Sequence, residues 1–236
     1  MRESPITGPK PYPELYKSGE KESPENTTEA GFAKIVNSTH CPFAFKSNLE
    51  YAEKWEDGID FEKNLISLSN RLISFTDVCD IIKLDGIVVE VKGLELIGDL
   101  KLLALNLKKI LLGLNTLDPK SSNCMTRDIS ANSWQFEFNG KRIFMILFAP
   151  FYSETSPRNS LSDDSAFIFM QPESSFHTHI INPANSPQTI KLKDNIRESF
   201  AKSGKPYDLS IVTRESDAIK YIKPLNIGDP IVEWWK

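Results

Sequence analysis

The sequence is poor in cysteine and histidine, the side chains that most often hold transition metals or act as nucleophiles. It contains three of each among 236 residues. The cysteines at positions 41, 79 and 124 are too widely spaced for a paired-cysteine zinc site, and an odd number cannot all pair within one chain. We therefore expect neither a zinc motif nor a disulfide framework.

An excess of positive charge and a long uncharged apolar run are also missing. The chain has 28 lysines and arginines against 32 aspartates and glutamates, a net charge of -4. Nothing in this balance attracts nucleic acid or an anionic membrane. The most apolar stretch, residues 94 to 114, is interrupted by charged residues and is expected to be a core helix, not a membrane span. No apolar signal segment follows Met1, which predicts a cytoplasmic protein.

The common catalytic motifs are absent as well. The sequence has no Walker loop, no glycine-rich dinucleotide turn, no nucleophile elbow and no His-Glu-x-x-His zinc motif. Candidate functional residues must therefore be sought from their positions relative to the predicted helices and strands.

Composition and periodicity predict one α+β domain behind an extended tail. Residues 1 to 28 hold five prolines among charged and small residues, a composition that buries too little apolar surface to order itself. Residues 29 to 236 are expected to form a single domain in which helices pack on a mainly antiparallel sheet.

The predicted elements follow from hydrophobic spacing. An apolar stripe from Phe61 to Ile82, spaced by three and four residues, predicts a long helix. Asn139-Gly140 between two alternating runs predicts a β-hairpin over residues 134 to 148. Further helices are predicted over residues 31 to 37, 42 to 55, 94 to 114 and 192 to 203, and strands over residues 87 to 91 and 166 to 170.

Cys41 is the first candidate for chemistry. It precedes a predicted helix that begins at Pro42, and a thiolate is favoured where unpaired helix N–H groups point at the sulfur. Such a thiolate can act as a nucleophile or an iron ligand. The alternative is a small buried hydrophobe at a helix start. Cys79 falls in the apolar stripe and is expected to be structural, and Cys124 is expected to lie in a loop.

The polar loop over residues 149 to 160 is the second candidate, because it leaves an apolar strand and strand ends commonly carry sites. Arg158 within it can pair with a carboxylate of a substrate or cofactor through its planar guanidinium. The alternative for Arg158 is a structural salt bridge in a surface turn.

His177 and His179 form the third candidate, because two residues that are two apart face the same side of an extended segment. They can bind a metal or flank a cofactor, although the only other histidine in the sequence is His40. The alternative is a pair of hydrogen-bonded histidines at the edge between a strand and a loop.

Short motifs along the chain follow an order that resembles the YqcI/YcgG family. The resemblance covers about residues 30 to 236. It is carried by Cys41-Pro42-Phe43-Ala44, Leu117-Asp118-Pro119, a phenylalanine-rich strand with Asn139-Gly140, Pro150-Phe151-Tyr152, Ser156-Pro157-Arg158-Asn159, Gln171-Pro172 and Phe176.

Some members of that family are haem-dependent N-hydroxylases of arginine or related guanidines and amines, so the resemblance implies similar chemistry. It implies haem b, O₂, and electrons from an external reductase, since no flavin or iron–sulfur motif is present. Cys41 becomes the leading axial ligand, because a proximal thiolate favours O–O cleavage.

The resemblance also places other residues near the haem. His40, Phe43, Phe151 and Arg158 are expected to bind the cofactor, with Arg158 on a propionate or a substrate carboxylate. His179, His177 and Tyr152 remain alternatives as axial ligand or as groups that hold bound O₂. Tyr152 stands where the family-like loop often has histidine, which leaves the role of the loop open.

A guanidinium substrate implies a carboxylate partner with matching planar geometry. Glu154, Asp163, Asp164 and Glu173 are near enough in sequence to serve, and the sequence does not separate them. Two other functions remain: a non-catalytic haem or small-molecule binding module, and a metal-free accessory protein.

Overall fold

A six-stranded mixed sheet forms the centre of the computed structural model, which describes residues 27–179, 186–213 and 216–236. The predicted N-terminal tail lies almost wholly outside the described residues. Five strands run in the order β1-β3-β6-β5-β4, and β2 pairs with β3 beside β1. The strands are β1 (Leu49–Tyr51), β2 (Trp55–Glu56), β3 (Gly86–Lys92), β4 (Phe136–Phe138), β5 (Lys141–Phe148) and β6 (Ser165–Pro172).

Strand directions make the sheet mainly antiparallel. β1 and β2 run parallel to β3, whereas the pairs β3 with β6, β6 with β5 and β5 with β4 are antiparallel. Eight helices surround the sheet within the described ranges: α1 (Thr28–Ser38), α2 (Phe61–Val78), α3 (Leu94–Ile97), α4 (Leu100–Leu117), α5 (Glu173–His179), α6 (Pro187–Lys202), α7 (Leu209–Val212) and α8 (Ala218–Tyr221). The predicted α+β domain is confirmed.

One face of the sheet is closely covered by α2 and α4. Phe75 of α2 and Leu111 of α4 are fully buried there. They belong to one hydrophobic core with Val89 of β3 and Met145 of β5. We call this side the packed face, because its alternate strand residues meet a continuous layer of helical side chains.

The opposite face is covered only in part, by α1 and, at Phe144 of β5, by Phe176 of α5 and Tyr221 of α8. Phe32 and Ile35 of α1 pack on Val88 and Phe167 in a small separate cluster. Gly31 allows this close approach, since a Cβ added there would lie 2.9 Å from the ring of Phe167. We call this side the open face, because a cavity remains between its helices and the strands β5 and β6.

The predicted hairpin is confirmed. Asn139 and Gly140 have φ angles of 49° and 74°, and positive φ at both central residues is the requirement of a type I′ turn. Asp118, at the end of α4, accepts a hydrogen bond of 2.8 Å from the backbone N–H of Asn139. The turn is therefore tied to the packed face.

The helix predicted over residues 42 to 55 is wrong. Only a short 3₁₀ turn, Ala44–Lys46, forms, and the chain then pairs with the edge of β3. The N–H of Asn48 donates to Asp85 at 2.8 Å, and the N–H of Ala52 donates to the carbonyl of Val88 at 2.9 Å. Pairing with the sheet thus overrides the local helix signal.

Two other boundaries differ from the predictions. The helix predicted over residues 94 to 114 is split into α3 and α4, because Asp99 caps a new helix by accepting the N–H of Leu102 at 2.8 Å. α2 ends at Val78, so Ile82 lies beyond the buried stripe and is exposed. The segment with His177 and His179, expected to be extended, is helical.

Candidate functional site

An apolar cavity of about 290 Å³ lies on the open face, over β5 and β6. Its floor is formed by Ile146, Phe148 and Phe169, and α1 and the segment before β1 form its walls. We call it the apolar cavity. Its lining comprises Phe32, Ile35, Val36, Thr39, Cys41, Phe43, Ala44, Ser47, Leu49, Asp85, Ile146, Phe148, Phe169, Gln171, Phe176 and Tyr207.

Cys41 and Phe43 both line the apolar cavity. Cys41 is half-buried, and its N–H donates to the hydroxyl of Thr39 at 3.3 Å. The helix predicted to begin at Pro42 was the reason to expect a thiolate at Cys41. Because only a short 3₁₀ turn follows Cys41, that reason does not apply. What remains is a thiol placed between aromatic walls.

The other two cysteines are core residues of the packed face. Cys79 and Cys124 are both buried. Burial raises the pKa of the Cys79 thiol to about 11, and it also raises the pKa of Cys124. Since the thiolate is the form that binds metals and attacks electrophiles, neither residue is suited to chemistry at neutral pH.

One carboxylate, Asp85, lines the apolar cavity. It is only 5% exposed. Its Oδ1 accepts from the hydroxyl of Ser175 at 3.0 Å, and that hydroxyl accepts from the amide of Gln171 at 2.9 Å. Sequence reasoning missed Asp85, because Leu84-Asp85-Gly86 reads as a turn before β3 and gives no sign of its burial.

A second cavity, of about 260 Å³, lies beside the loop that follows β5. We call it the cationic pocket, and Arg158, Asp208 and Lys223 supply its charged groups. The loop closes on itself at its base. The N–H of Ala149 donates to the carbonyl of Arg158 at 2.9 Å, and the N–H of Ser160 donates back to Ala149 at 3.2 Å.

Two buried side chains join this loop to the segment after α8. The hydroxyl of Tyr152 donates to the carbonyl of Lys223 at 2.6 Å, and the guanidinium of Arg158 donates to the carbonyl of Lys220 at 3.0 Å. A second guanidinium N–H of Arg158 donates to Leu147 at 3.2 Å. These bonds hold Arg158 and Lys223 on the wall of one pocket.

Burial perturbs the acid–base behaviour of the cationic pocket. It lowers the pKa of Arg158, and it lowers the pKa of Lys223 to about 7, with the charge of Arg158 acting in the same direction. Burial raises the pKa of Tyr152 to about 12, so this phenol stays protonated at neutral pH. The Tyr152 hydroxyl is thus a hydrogen-bond donor to backbone.

The two cavities adjoin each other. Tyr207 lines both of them. The guanidinium carbon of Arg158 lies 5.9 Å from the ring centre of Phe148, which forms part of the floor of the apolar cavity. An apolar space with a sulfur atom in its wall therefore borders a space with two cations.

Neither cavity is lined by four of the described residues that were expected at a cofactor: His40, Phe151, Tyr152 and His177. His40 is exposed, and its ring packs against Phe200 with centres 5.6 Å apart. His177 is exposed on α5, whereas the side chain of His179 lies outside the described residues. Phe151 is half-buried and stacks on Tyr152 with ring centres 4.7 Å apart.

The four carboxylates expected to bind substrate are exposed and separated. Asp164 pairs with Lys92 at 3.4 Å, near the end of β3, and Asp163 precedes it. Glu173 begins α5, and Glu154 projects from the loop beside the cationic pocket without lining it. The structure therefore does not bring these four together.

Lys223 and Tyr207 were missed along with Asp85. Lys223 follows Tyr221-Ile222 and precedes Pro224. A lysine inside a short apolar run was the one sequence feature that could have indicated its burial. Its proximity to Arg158, 65 positions earlier in the chain, is a tertiary contact that periodicity does not show.

The described part of the chain contains neither a membrane-spanning helix nor a cluster of metal-ligating side chains. No helix in it is both long enough and apolar enough to cross a membrane. No group of three or more histidine, cysteine, aspartate or glutamate side chains in the same residues is arranged to hold a metal ion. A haem iron needs only one or two axial protein ligands. The absence of such a group therefore applies only to metal sites with three or more protein ligands.

Comparison with known proteins gave one match. The family model described as YqcI/YcgG family matches residues 51–211, more than half of the chain. No curated protein and no solved structure matched the sequence at a significant level. The matched range contains the loop with Arg158, as well as Asp85 and Tyr207.

Proposed function

Because the chain belongs to the YqcI/YcgG family, we propose that it is a haem-dependent monooxygenase that N-hydroxylates a small amine or guanidine substrate. One observation carries the proposal: Cys41 lies in the wall of an apolar, phenylalanine-rich cavity that borders a pocket with two buried cations. Haem b has the matching features, namely an apolar ring, an iron that accepts thiolate, and two carboxylates.

The residues present fit this group. Phe32, Phe148 and Phe169 offer apolar contact for a macrocycle, and Cys41 offers a sulfur ligand. The apolar cavity and the cationic pocket, about 290 and 260 Å³, together fall in the range of roughly 300–1,000 Å³ for ligand sites. Arg158 is placed to meet a propionate at the border of the two.

The proposed reaction balances with an external reductant. An amine R–NH₂, O₂, two electrons and two protons give R–NHOH and water, so one N–H bond is converted to N–O–H and the second oxygen atom leaves as water. Haem with a thiolate ligand supplies the O₂ activation when bound. The sequence has no flavin or iron–sulfur motif, so the electrons come from a separate reductase.

The chain's own residues bind and orient the substrate in this proposal. Asp85 pairs with the guanidinium or ammonium group, because it is the carboxylate that lines the apolar cavity among the described residues. Ser175 holds the Asp85 carboxylate by a hydrogen bond of 3.0 Å. The apolar walls exclude water, which strengthens this charge pairing.

The first test is an absorption spectrum of haem-reconstituted protein, ferric and then ferrous with CO. We expect a haem band with the red-shifted CO signature of thiolate ligation, and we expect Cys41→Ala to lose that signature. Lys46→Ala is the matched control, because it changes an exposed residue of the same segment that does not line the cavity, and it should leave the spectrum unchanged.

Other outcomes identify the alternatives. A haem band without the thiolate signature assigns the iron to His179, His177 or Tyr152, which His179→Ala, His177→Ala and Tyr152→Phe then separate. Bound haem without an O₂-dependent hydroxylamine product indicates a non-catalytic binding module. A protein that binds no haem, with all these side chains replaceable, overturns the proposal in favour of an accessory protein.

A further inference from the structure

Lys223 carries a buried ammonium group without a hydrogen-bond partner in the described part of the chain. The residue is 8% exposed, and its Nζ makes no hydrogen bond to the described residues. It nevertheless lines the cationic pocket. A buried charge without a partner is costly, so a folded protein retains one mainly where another group binds it.

The nearest charged neighbours do not neutralise Lys223. Arg158 is another cation, and its guanidinium donates to the backbone carbonyls of Leu147 and Lys220. Asp208 lines the pocket, but its carboxylate accepts from Ser210 at 2.9 Å and from Gly228 at 3.3 Å. Within the described ranges, no carboxylate forms an ion pair with Arg158 or Lys223.

The geometry points to a carboxylate-binding site, which we propose is formed by Lys223 and Arg158 in the cationic pocket. Two cations and Asp208 leave one net positive charge on the walls, which matches a monovalent carboxylate better than a phosphate dianion. Arg158 offers a planar fork suited to carboxylate oxygens, and Lys223 offers an ammonium with no other partner.

Either of two sources can supply this carboxylate. One is the carboxylate of an amino-acid substrate, and the other is a propionate of the haem proposed above. Only the second source rests on the proposed cofactor. Carboxylate binding by the pocket itself does not require the oxygenase function to be correct.

Binding should weaken as the pH rises, because it needs the charged form of Lys223. Burial lowers the pKa of this lysine to about 7, while Asp208 acts to raise it and Lys220 acts to lower it. Lys220 is paired with Asp217 at 3.0 Å, and burial raises the pKa of Tyr207 and Tyr152 to about 12. Lys223 is therefore the group on the pocket wall that titrates near neutrality.

The first experiment titrates the full chain, without added haem, with acetate. Lysine ¹³Cε NMR follows the Lys223 signal, identified by its loss in Lys223→Met. We expect acetate to raise the Lys223 titration midpoint in the wild type. We expect acetate affinity, measured by isothermal titration calorimetry, to fall at least about tenfold in Lys223→Met, as for loss of a charge-assisted hydrogen bond, and to be retained in Lys223→Arg. Lys220→Met is the matched control.

Two paired ligands then distinguish the sources. If the substrate supplies the carboxylate, Lys223→Met weakens binding of L-arginine but not of agmatine, which lacks the carboxylate. If haem supplies it, Lys223→Met weakens binding of haem but not of haem dimethyl ester, whose propionates are blocked.

The inference is overturned if the wild-type Lys223 midpoint does not respond to acetate and Lys223→Met binds all four ligands as the wild type does. The midpoint measurement uses wild-type protein, so it remains decisive even where a variant folds poorly. Loss of the thiolate spectrum in Cys41→Ala with an intact acetate response supports both proposals. An intact acetate response in a protein that binds no haem overturns only the oxygenase function.

Discussion

The two faces of the sheet differ in how completely their buried groups are satisfied. On the packed face, α2 and α4 cover the strands with residues such as Phe75 and Leu111, both at 0% exposure. On the open face, helices leave the apolar cavity over β5 and β6, and the cationic pocket adjoins it at Tyr207. Incomplete packing and a buried charge without a hydrogen bond to the described residues lie next to each other, and we expect the functional site there.

Two buried charged residues, Asp118 and Lys223, also differ in how fully they are hydrogen-bonded. Asp118, on the side of the hairpin, accepts the N–H groups of Lys120, Ser122 and Asn139 at 2.8 to 3.1 Å. Lys223, in the cationic pocket, has no such bond. A satisfied buried charge stabilises the fold, whereas an unsatisfied one costs free energy unless a ligand binds it.

The largest effect is expected from truncating equivalent rings on the two faces. Phe75→Ala on the packed face should cost about 3–5 kcal/mol of the free energy of unfolding, because a cavity opens in a close-packed core. Phe169→Ala on the open face should cost markedly less, since its ring already borders a cavity. Urea denaturation measures both, and equal losses would show that the open face is as tightly packed.

Removing the charge of Asp118 should have the next largest effect. Asp118→Asn puts an amide donor against backbone donors and should cost about 1.5–3 kcal/mol of unfolding free energy at neutral pH. The pKa of Asp118 is lowered, as backbone hydrogen bonds outweigh its burial. The Asp118 carboxylate thus stabilises the folded state at pH values above the pKa that this residue has in the unfolded chain. This stabilisation is lost as the pH falls through its pKa in the folded protein.

The free energy of unfolding, measured as a function of pH, checks this prediction for Asp118. Wild type should lose more stability than Asp118→Asn on acidification. Asp163→Asn, at an exposed position, is the control and should stay within about 0.5 kcal/mol of wild type. An acid profile unchanged by Asp118→Asn would contradict the assignment.

Lys223→Met should act in the opposite direction and stabilise the protein by about 1–3 kcal/mol at neutral pH and below. The folded pKa of Lys223, about 7, is depressed below the ordinary value of 10.5. Between these values the unfolded chain binds more protons, so wild-type stability rises with pH, and the advantage of the variant disappears at high pH. Thermal unfolding from pH 6 to pH 10.5 tests this, and a destabilised variant would indicate a structural role for the ammonium.

The smallest effect is expected where α1 meets the sheet. Gly31→Ala should cost about 1 kcal/mol net, because the added methyl group presses on the ring of Phe167 and outweighs the gain in helix propensity. Gly58→Ala is the control, since nothing lies within 4 Å of a Cβ there. Equal stability of the two variants would mean that α1 shifts freely on the open face.

Helices, strands and turns that have a clear local pattern of apolar or turn-forming residues were predictable from the sequence. The Asn139-Gly140 turn and the apolar runs of β3 and β6 formed as predicted, and the stripe of α2 formed as predicted up to Cys79. β1 and β2 escaped prediction, because strands of three and two residues carry no period of their own and form by pairing with β3.

The candidate site was predictable only where a residue's neighbours in sequence are also its neighbours in space. Cys41 and Phe43 share the apolar cavity, and Arg158 lies in the loop that the sequence singled out. Asp85 and Lys223 were missed, because their burial results from contacts with Ser175 and with the loop around Tyr152, which are distant in the chain.

Tyr207 belongs to the walls of both cavities, and that shared position makes the two binding events interdependent. A ligand that displaces this ring from one side changes the space available on the other. Thermodynamic reciprocity then requires that a carboxylate alter the affinity of an apolar ligand by the same factor by which that ligand alters the affinity of the carboxylate. Acetate and haem dimethyl ester, which has no free carboxylate, titrated each in the presence of the other, would measure that common factor, and Tyr207→Ala should bring it towards one.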